Sequence, residues 1–112
     1  MVINVLTKLL QGKSLLGMLP DGNLLLYPLD DFKLLSIISE VYQKRIYDVN
    51  GMESFYCICD VGAHIGLFTL RISKKNPKSK IIAIEPHPIN FQFLMKNIII
   101  NGLKERVYPL NV

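Results

Sequence analysis

The chain has 112 residues, half of them apolar and a fifth charged, with a net charge of +4. That composition suits one domain with one core and excludes a disordered chain. Lysines and arginines are spread singly and in pairs, so no concentrated basic face forms and no nucleic-acid partner is expected.

Val2, Val5, Leu6 and Leu9 recur at helical spacing, which predicts a short amphipathic helix over the first ten residues. Lys8 lies inside this apolar part and no basic stretch precedes it, contrary to a secretory signal, so the chain is read as cytoplasmic. Next, SLLGMLPDGNLLLYPL (14–29) places Pro20-Asp21-Gly22 between two leucine runs. Pro20 presets a turn and Gly22 accepts positive φ, which predicts a β-hairpin. Those breakers, with Pro28, interrupt the run well short of the ~18 apolar residues of a membrane span, and no membrane partner is expected.

From Asp30 the pattern turns helical. Leu34, Ile37, Ile38 and Val41 share one face, Asp30 or Asp31 is placed to cap the start, and the helix is expected to reach about Tyr47. The polar segment Asp48–Ser54 contains Gly51 and divides an extension, 1–54, from the part that follows, 55–112. There, FYCICDV, IGLFTLRISKKN, KIIAIEP, INFQFLMKNIIIN and RVYPLNV alternate short apolar runs with amphipathic stretches. This predicts β-α-β-α-β with parallel strands and right-handed crossovers, an α/β fold with an incomplete parallel sheet.

Cys57 and Cys59 are two apart on the first of these strands, so they point the same way and do not bridge. With His64 they match no standard zinc spacing, so they are read as small apolar residues and no metal is expected. The stripe Phe91, Leu94, Met95 and Ile98 reads as core.

The strand ending near Asp60 runs into a turn with Gly62 and Gly66 and a helix starting near Ile65, aiming backbone N–H groups at the carboxyl edge of the sheet. The dinucleotide fingerprint would need glycines where His64 and Leu67 stand, and no Gly-Lys-Ser/Thr follows, so pyrophosphate and P-loop ligands are disfavoured. Glu85 ends the next strand, at about the interval that separates loop and ribose-binding acid in such folds, where its carboxylate can accept from both ribose hydroxyls. Pro88 then suits the first position of a helix.

DVGAHIGLFTLRISKK followed by KIIAIEPHPINFQFLMKNIIINGLKERVYPLNV resembles the first half of a class I S-adenosylmethionine-dependent methyltransferase with a Rossmann-like fold, and most resembles the FkbM family. That family has an Asp-Val-Gly-Ala-Asn-x-Gly loop, an aromatic-threonine pair, a Glu-Pro pair and an Asn-Gly-Leu turn. Phe68-Thr69, Glu85-Pro86 and Asn101-Gly102-Leu103 match them. The resemblance covers Phe55–Val112, and more loosely the hairpin and helix before it.

It implies methyl transfer to an acceptor oxygen, with nitrogen as the alternative, and it places Asp60, Gly62, Ala63 and Gly66 around the methionine part of S-adenosylmethionine, Glu85 on its ribose, and Pro86 and His87 bordering its adenine. His64 stands where the family has Asn; its charge varies near neutral pH, so altered or pH-dependent cofactor affinity is expected. The chain stops after the third strand of a sheet that has seven in the family, so it reads as a truncated domain, and no catalytic base is assigned. In a sheet ordered 3-2-1-4 the strand Phe55–Val61 keeps an open apolar edge, which predicts a homodimer or larger homo-oligomer covering it. The competing reading is a non-catalytic remnant serving as an oligomerising or protein-interaction module.

Overall fold

The computed structural model describes residues 7–9, 14–29, 33–44, 48, 51 and 56–112. Pro20, Asp21 and Gly22 turn the chain between β2 (Ser14–Met18) and β3 (Leu24–Pro28), with Gly22 at φ +88. The Asp21 carboxylate accepts from the Asn23 backbone N–H at 3.0 Å, an Asx-type bond that fixes the turn. The strands pair antiparallel from Ser14↔Pro28 to Met18↔Leu24, as the leucine runs predict.

A third strand, β1 (Thr7–Leu9), pairs antiparallel with β2. The sequence reading expected a helix through these residues. A three-residue extended segment beside an existing strand satisfies its backbone in the ladder, which outweighs a weak local helical pattern. The rest of that expected helix lies outside the described residues.

Helix α1 (Leu34–Ile38) buries Leu34 and Ile38 and runs directly into a π-helical turn, Ser39–Gln43, closed by the Lys44 N–H donating to the Ser39 carbonyl at 2.8 Å. The wider turn buries both Val41 and Tyr42. The N-cap is Lys33, which makes no side-chain capping bond. The expected caps Asp30 and Asp31, and the helix beyond Lys44 toward Tyr47, lie outside the described residues.

The second sheet is parallel, ordered β4 (Cys57–Val61), β5 (Lys80–Ile84), β6 (Val107–Leu110). Helix α2 (Leu67–Lys75) joins β4 to β5, and α3 (Pro88–Ile100) joins β5 to β6. This is the β-α-β-α-β order that the alternating runs predict. Pro88 occupies the first turn of α3, and the His87 side chain caps it by accepting from the Asn90 N–H at 3.5 Å.

One core joins the two halves: Leu19, Leu25, Ile38 and Val41 from the extension pack in the same cluster as Leu70, Ile81, Leu94 and Val107. Because α2 lies between the parallel sheet and the extension, it is buried on several sides, including Thr69, Arg71 and Ser73. Within the predicted stripe of α3, Leu94 and Ile98 are buried and Phe91 is partly so, but Met95 faces outward. Cys57 and Cys59 are exposed free thiols and not buried apolar residues: among the described residues β4 is an edge strand, and Cys59 opens onto a cavity.

Candidate functional site

The chain leaves β4 through a loop in which every second residue takes positive φ: Gly62 at +77, His64 at +57 and Gly66 at +104. The N–H groups of Gly62 and Ala63 both donate to the Ile84 carbonyl at 2.9 Å, which anchors the loop over the carboxyl end of β5. His64 is the non-glycine residue among the three. Asn and His share an enrichment in left-handed backbone, which explains physically how a histidine replaces the asparagine of the resembled motif.

Glu85 follows β5 directly and is 6% exposed. Its carboxylate accepts the backbone N–H of His64 at 2.7 Å on one oxygen and that of His87 at 2.8 Å on the other. Each oxygen keeps a lone pair for a further donor. The Asn111 amide holds the next peptides in place by donating to the Glu85 and Pro86 carbonyls, at 2.8 and 3.0 Å.

Asp60 accepts the Thr69 hydroxyl at 2.6 Å. Burial pushes its carboxyl above the ordinary range, the Thr69 bond opposes this, and the nearby charge of Glu85 adds to the rise. Two neighbouring carboxylates repel a bound phosphate and favour a cation or a ligand rich in hydroxyl donors.

Asp60, Gly62, Ala63 and His64 line one side of a cavity of about 290 Å³, and Ile37, Val41, Leu67 and Phe68 form its apolar side. Of the residues singled out by sequence, the structure therefore brings these four to the cavity wall. Glu85 lies beside the loop through its bond to His64, and Gly66 is buried behind it. Pro86 and His87 are exposed and do not line the cavity; His87 serves as the cap of α3. Among the described residues no group of three or more His, Cys, Asp or Glu is placed to hold a metal ion.

Ile37 and Val41 read in sequence only as the buried face of a helix, and their second role follows from where that helix lands. Asn97 gave no motif. It is fully buried in α3 and donates to the Ile65 carbonyl inside the loop at 2.8 Å. The available signal was a polar residue at a core-facing position of an apolar helix.

The sequence profile of the TRM5/TYW2 methyltransferase domain matches residues 39–112, more than half of the chain. The chain belongs to this family. A TRM5/TYW2 domain is consistent with the curated relatives. Methyltransferase sdnD from Sordaria araneosa is 35% identical over 84 residues, covering 75% of this chain and 32% of that protein. The fold is that of Rossmann-like methyltransferases. The structure of TYW2 from M. jannaschii in complex with AdoMet superposes with a TM-score of 0.70 at 20% identity, over 89% of this chain and 43% of that one. TYW2 from P. horikoshii in complex with MeSAdo gives 0.69 at 23% identity, over 89% and 36%. The chain thus spans about a third of the length of the relative and less than half of either TYW2 structure.

The two loop glycines differ in what a side chain meets. A Cβ on Gly66 sits 3.0 Å from Leu94 Cδ1, in a residue with no exposure, whereas one on Gly62 meets nothing within 4 Å. Gly62→Ala is expected to cost about 1–2 kcal/mol from positive φ alone, and Gly66→Ala at least ~1 kcal/mol more from overpacking; urea unfolding of both variants measures the difference.

Because folding raises the Asp60 pKa, its ionised form is less favourable in the folded chain than in the unfolded one. The penalty is absent below the ordinary carboxylate range and grows as pH rises through the folded-state value. Asp60→Asn, which keeps an acceptor for Thr69, should therefore melt above the wild type at pH 7, and thermal melts from pH 7 to 3 should show the gap closing.

Proposed function

We propose that the cavity between the Asp60–His64 loop and the Ile37–Val41 wall binds S-adenosylmethionine, and that this chain is the cofactor-binding part of a methyltransferase acting on an acceptor oxygen or nitrogen. The observation that carries this reading is Glu85: a nearly buried carboxylate fixed by the His64 and His87 amides at the carboxyl end of β5, with acceptor capacity left for a ribose diol. Asp60 adds negative charge beside the loop, suited to the cationic sulfonium. Gly62, Ala63 and His64, backed by the buried Gly66, form the backbone surface for the methionine part, and the adenine extends out of the cavity toward the exposed Pro86 and His87. When bound, the cofactor supplies an electrophilic methyl group.

Family membership and the two similar TYW2 complexes, one with AdoMet and one with MeSAdo, support the choice of cofactor. The FkbM likeness rests on the loop, Glu-Pro and Asn-Gly-Leu motifs and supports the same cofactor. In this reading residues 1–54 form an extension that closes one side of the cavity and residues 55–112 supply the cofactor-facing strands and loops. The free thiols of Cys57 and Cys59 fit a reducing, cytoplasmic setting.

A second reading concerns assembly, alone or alongside methyl transfer. The β4 edge is flanked by exposed apolar residues, Tyr56 at 89% and Val61 at 76%, and open apolar edges favour pairing. We therefore include a homodimer that covers this edge.

Calorimetric titration with S-adenosylmethionine and S-adenosylhomocysteine should show saturable binding that Glu85→Gln weakens at least about tenfold, as expected for a lost charge-assisted hydrogen bond. A folded wild-type chain that binds neither would overturn the cofactor reading. Sedimentation at micromolar concentration should give a dimer that Val61→Lys dissociates; a stable wild-type monomer would remove the assembly.

A further inference from the structure

Helix α3 meets the extension through two asparagines, four residues apart, that clasp the outer edge of β3. Asn97 Oδ1 accepts the Leu26 N–H at 2.6 Å and its Nδ2 donates to the Leu26 carbonyl at 3.0 Å. Asn101 repeats the pattern one turn later: Oδ1 accepts the Leu24 N–H and Nδ2 donates to the Leu24 carbonyl, both at 2.8 Å. The match is geometric. Four residues of helix rise about 6 Å and two residues of strand about 6.8 Å, so side chains one turn apart align with alternate residues of an edge strand.

The two clasps differ in their remaining hydrogen. That of Asn101 returns to its own helix, to the Asn97 carbonyl at 2.7 Å. That of Asn97 reaches the Ile65 carbonyl at 2.8 Å. Ile65 stands between His64 and Gly66, both in positive φ, and the His64 N–H is the donor that fixes Glu85. Released from Asn97, the Ile65–Gly66 peptide keeps one bond, from the Gly66 N–H to the Ala63 carbonyl at 2.9 Å, next to a glycine that tolerates most backbone angles. Leu94, one turn earlier on the same helix, packs so closely that a Cβ on Gly66 would lie 3.0 Å from it.

We infer that Asn97 is a positioning residue for the loop: its amide joins the Leu26 backbone to the Ile65 carbonyl, so that docking of the hairpin and the ligand-ready shape of the Gly62–Gly66 turn form together. This rests on the cofactor site proposed above. Asn97 touches no part of that cavity and acts through Ile65, His64 and Glu85. Asn101 is the built-in control, since it shares the clasp but has no bond to the loop.

The test compares Asn97→Ala with Asn101→Ala in the 112-residue chain, at a temperature where both are folded. Asn97→Ala should weaken S-adenosylhomocysteine binding about tenfold, the worth of one well-formed hydrogen bond to the loop, and Asn101→Ala by no more than about twofold. Equal losses in the two variants would overturn the inference, because a merely structural clasp affects both alike. Native-state hydrogen exchange on the wild-type chain in low urea decides the matter without a ligand and without a variant. The amides of Leu26, His64 and Gly66 should exchange through one opening with a common urea dependence. Loop amides that open independently of Leu26 would overturn it. If the wild type does not bind S-adenosylhomocysteine, the cofactor reading fails, while the exchange measurement still judges Asn97.

Discussion

A strand whose outer edge is buried against a helix poses a problem that no backbone can solve, because the helix has already used its own amides and carbonyls. In this chain the edge of β3 faces α3, and the groups of Leu24 and Leu26 would be left without partners. Two side-chain amides meet the requirement. A side-chain amide presents a donor and an acceptor in one plane, as a neighbouring strand does, and in asparagine it sits on a short stem. This docking acts together with the Asn23 amide, which donates to the Leu70 carbonyl at 3.1 Å, and with the shared core to seat the extension against α2 and α3.

Charge reinforces the arrangement where the amides end. Arg71 on α2 is 7% exposed and pairs with Asp48 through two bonds, at 3.2 and 2.8 Å, while its guanidinium lies 5.4 Å from the centre of the Tyr42 ring. A buried guanidinium is tolerable only with such a bidentate partner. Burial, and then the Asp21 carboxylate, keep the Tyr42 hydroxyl far above its ordinary pKa, so it stays neutral. At the C-terminal end of α2, Arg106 donates to the carbonyls of Ser73, Asn76 and Ser79. A cation there satisfies carbonyls that the helix leaves open and complements its dipole. Thus α2, which carries Leu67, Phe68 and Thr69 into the site, is fixed at its middle by Arg71 and at its C-terminal end by Arg106.

The amount of this that could be read from residues follows their range of action. The hairpin was legible because Pro20, Asp21 and Gly22 act on their own backbone. So was the β-α-β-α-β order, because each run carries its own periodicity. The glycine loop and Glu85 were legible from spacing, since strand and crossover lengths are nearly constant in such folds. The strand at Thr7–Leu9 was not, because its state is decided by pairing with β2. The π-helical turn was also hidden: local spacing predicts an ordinary helix, and the wider turn appears where Val41 and Tyr42 must both face the core. His87 illustrates the mixture, with a role in the α3 cap that sequence logic allows and a position outside the cavity wall that only packing reveals.

What the sequence by itself determined, then, was the hairpin, the β-α-β-α-β order, the glycine loop between Gly62 and Gly66, and the acid at the end of the second parallel strand. These properties are local, governed by steric limits on φ and by apolar periodicity. Only the tertiary structure decided which side chains complete the site. Asn97 and its partner Leu26 are 71 residues apart, and the Glu85 carboxylate meets the His64 amide 21 residues away. Hydrogen bonds at such separations leave no periodic trace in the chain. They are formed because burial removes water as the alternative partner, and burial is a property of the assembled fold.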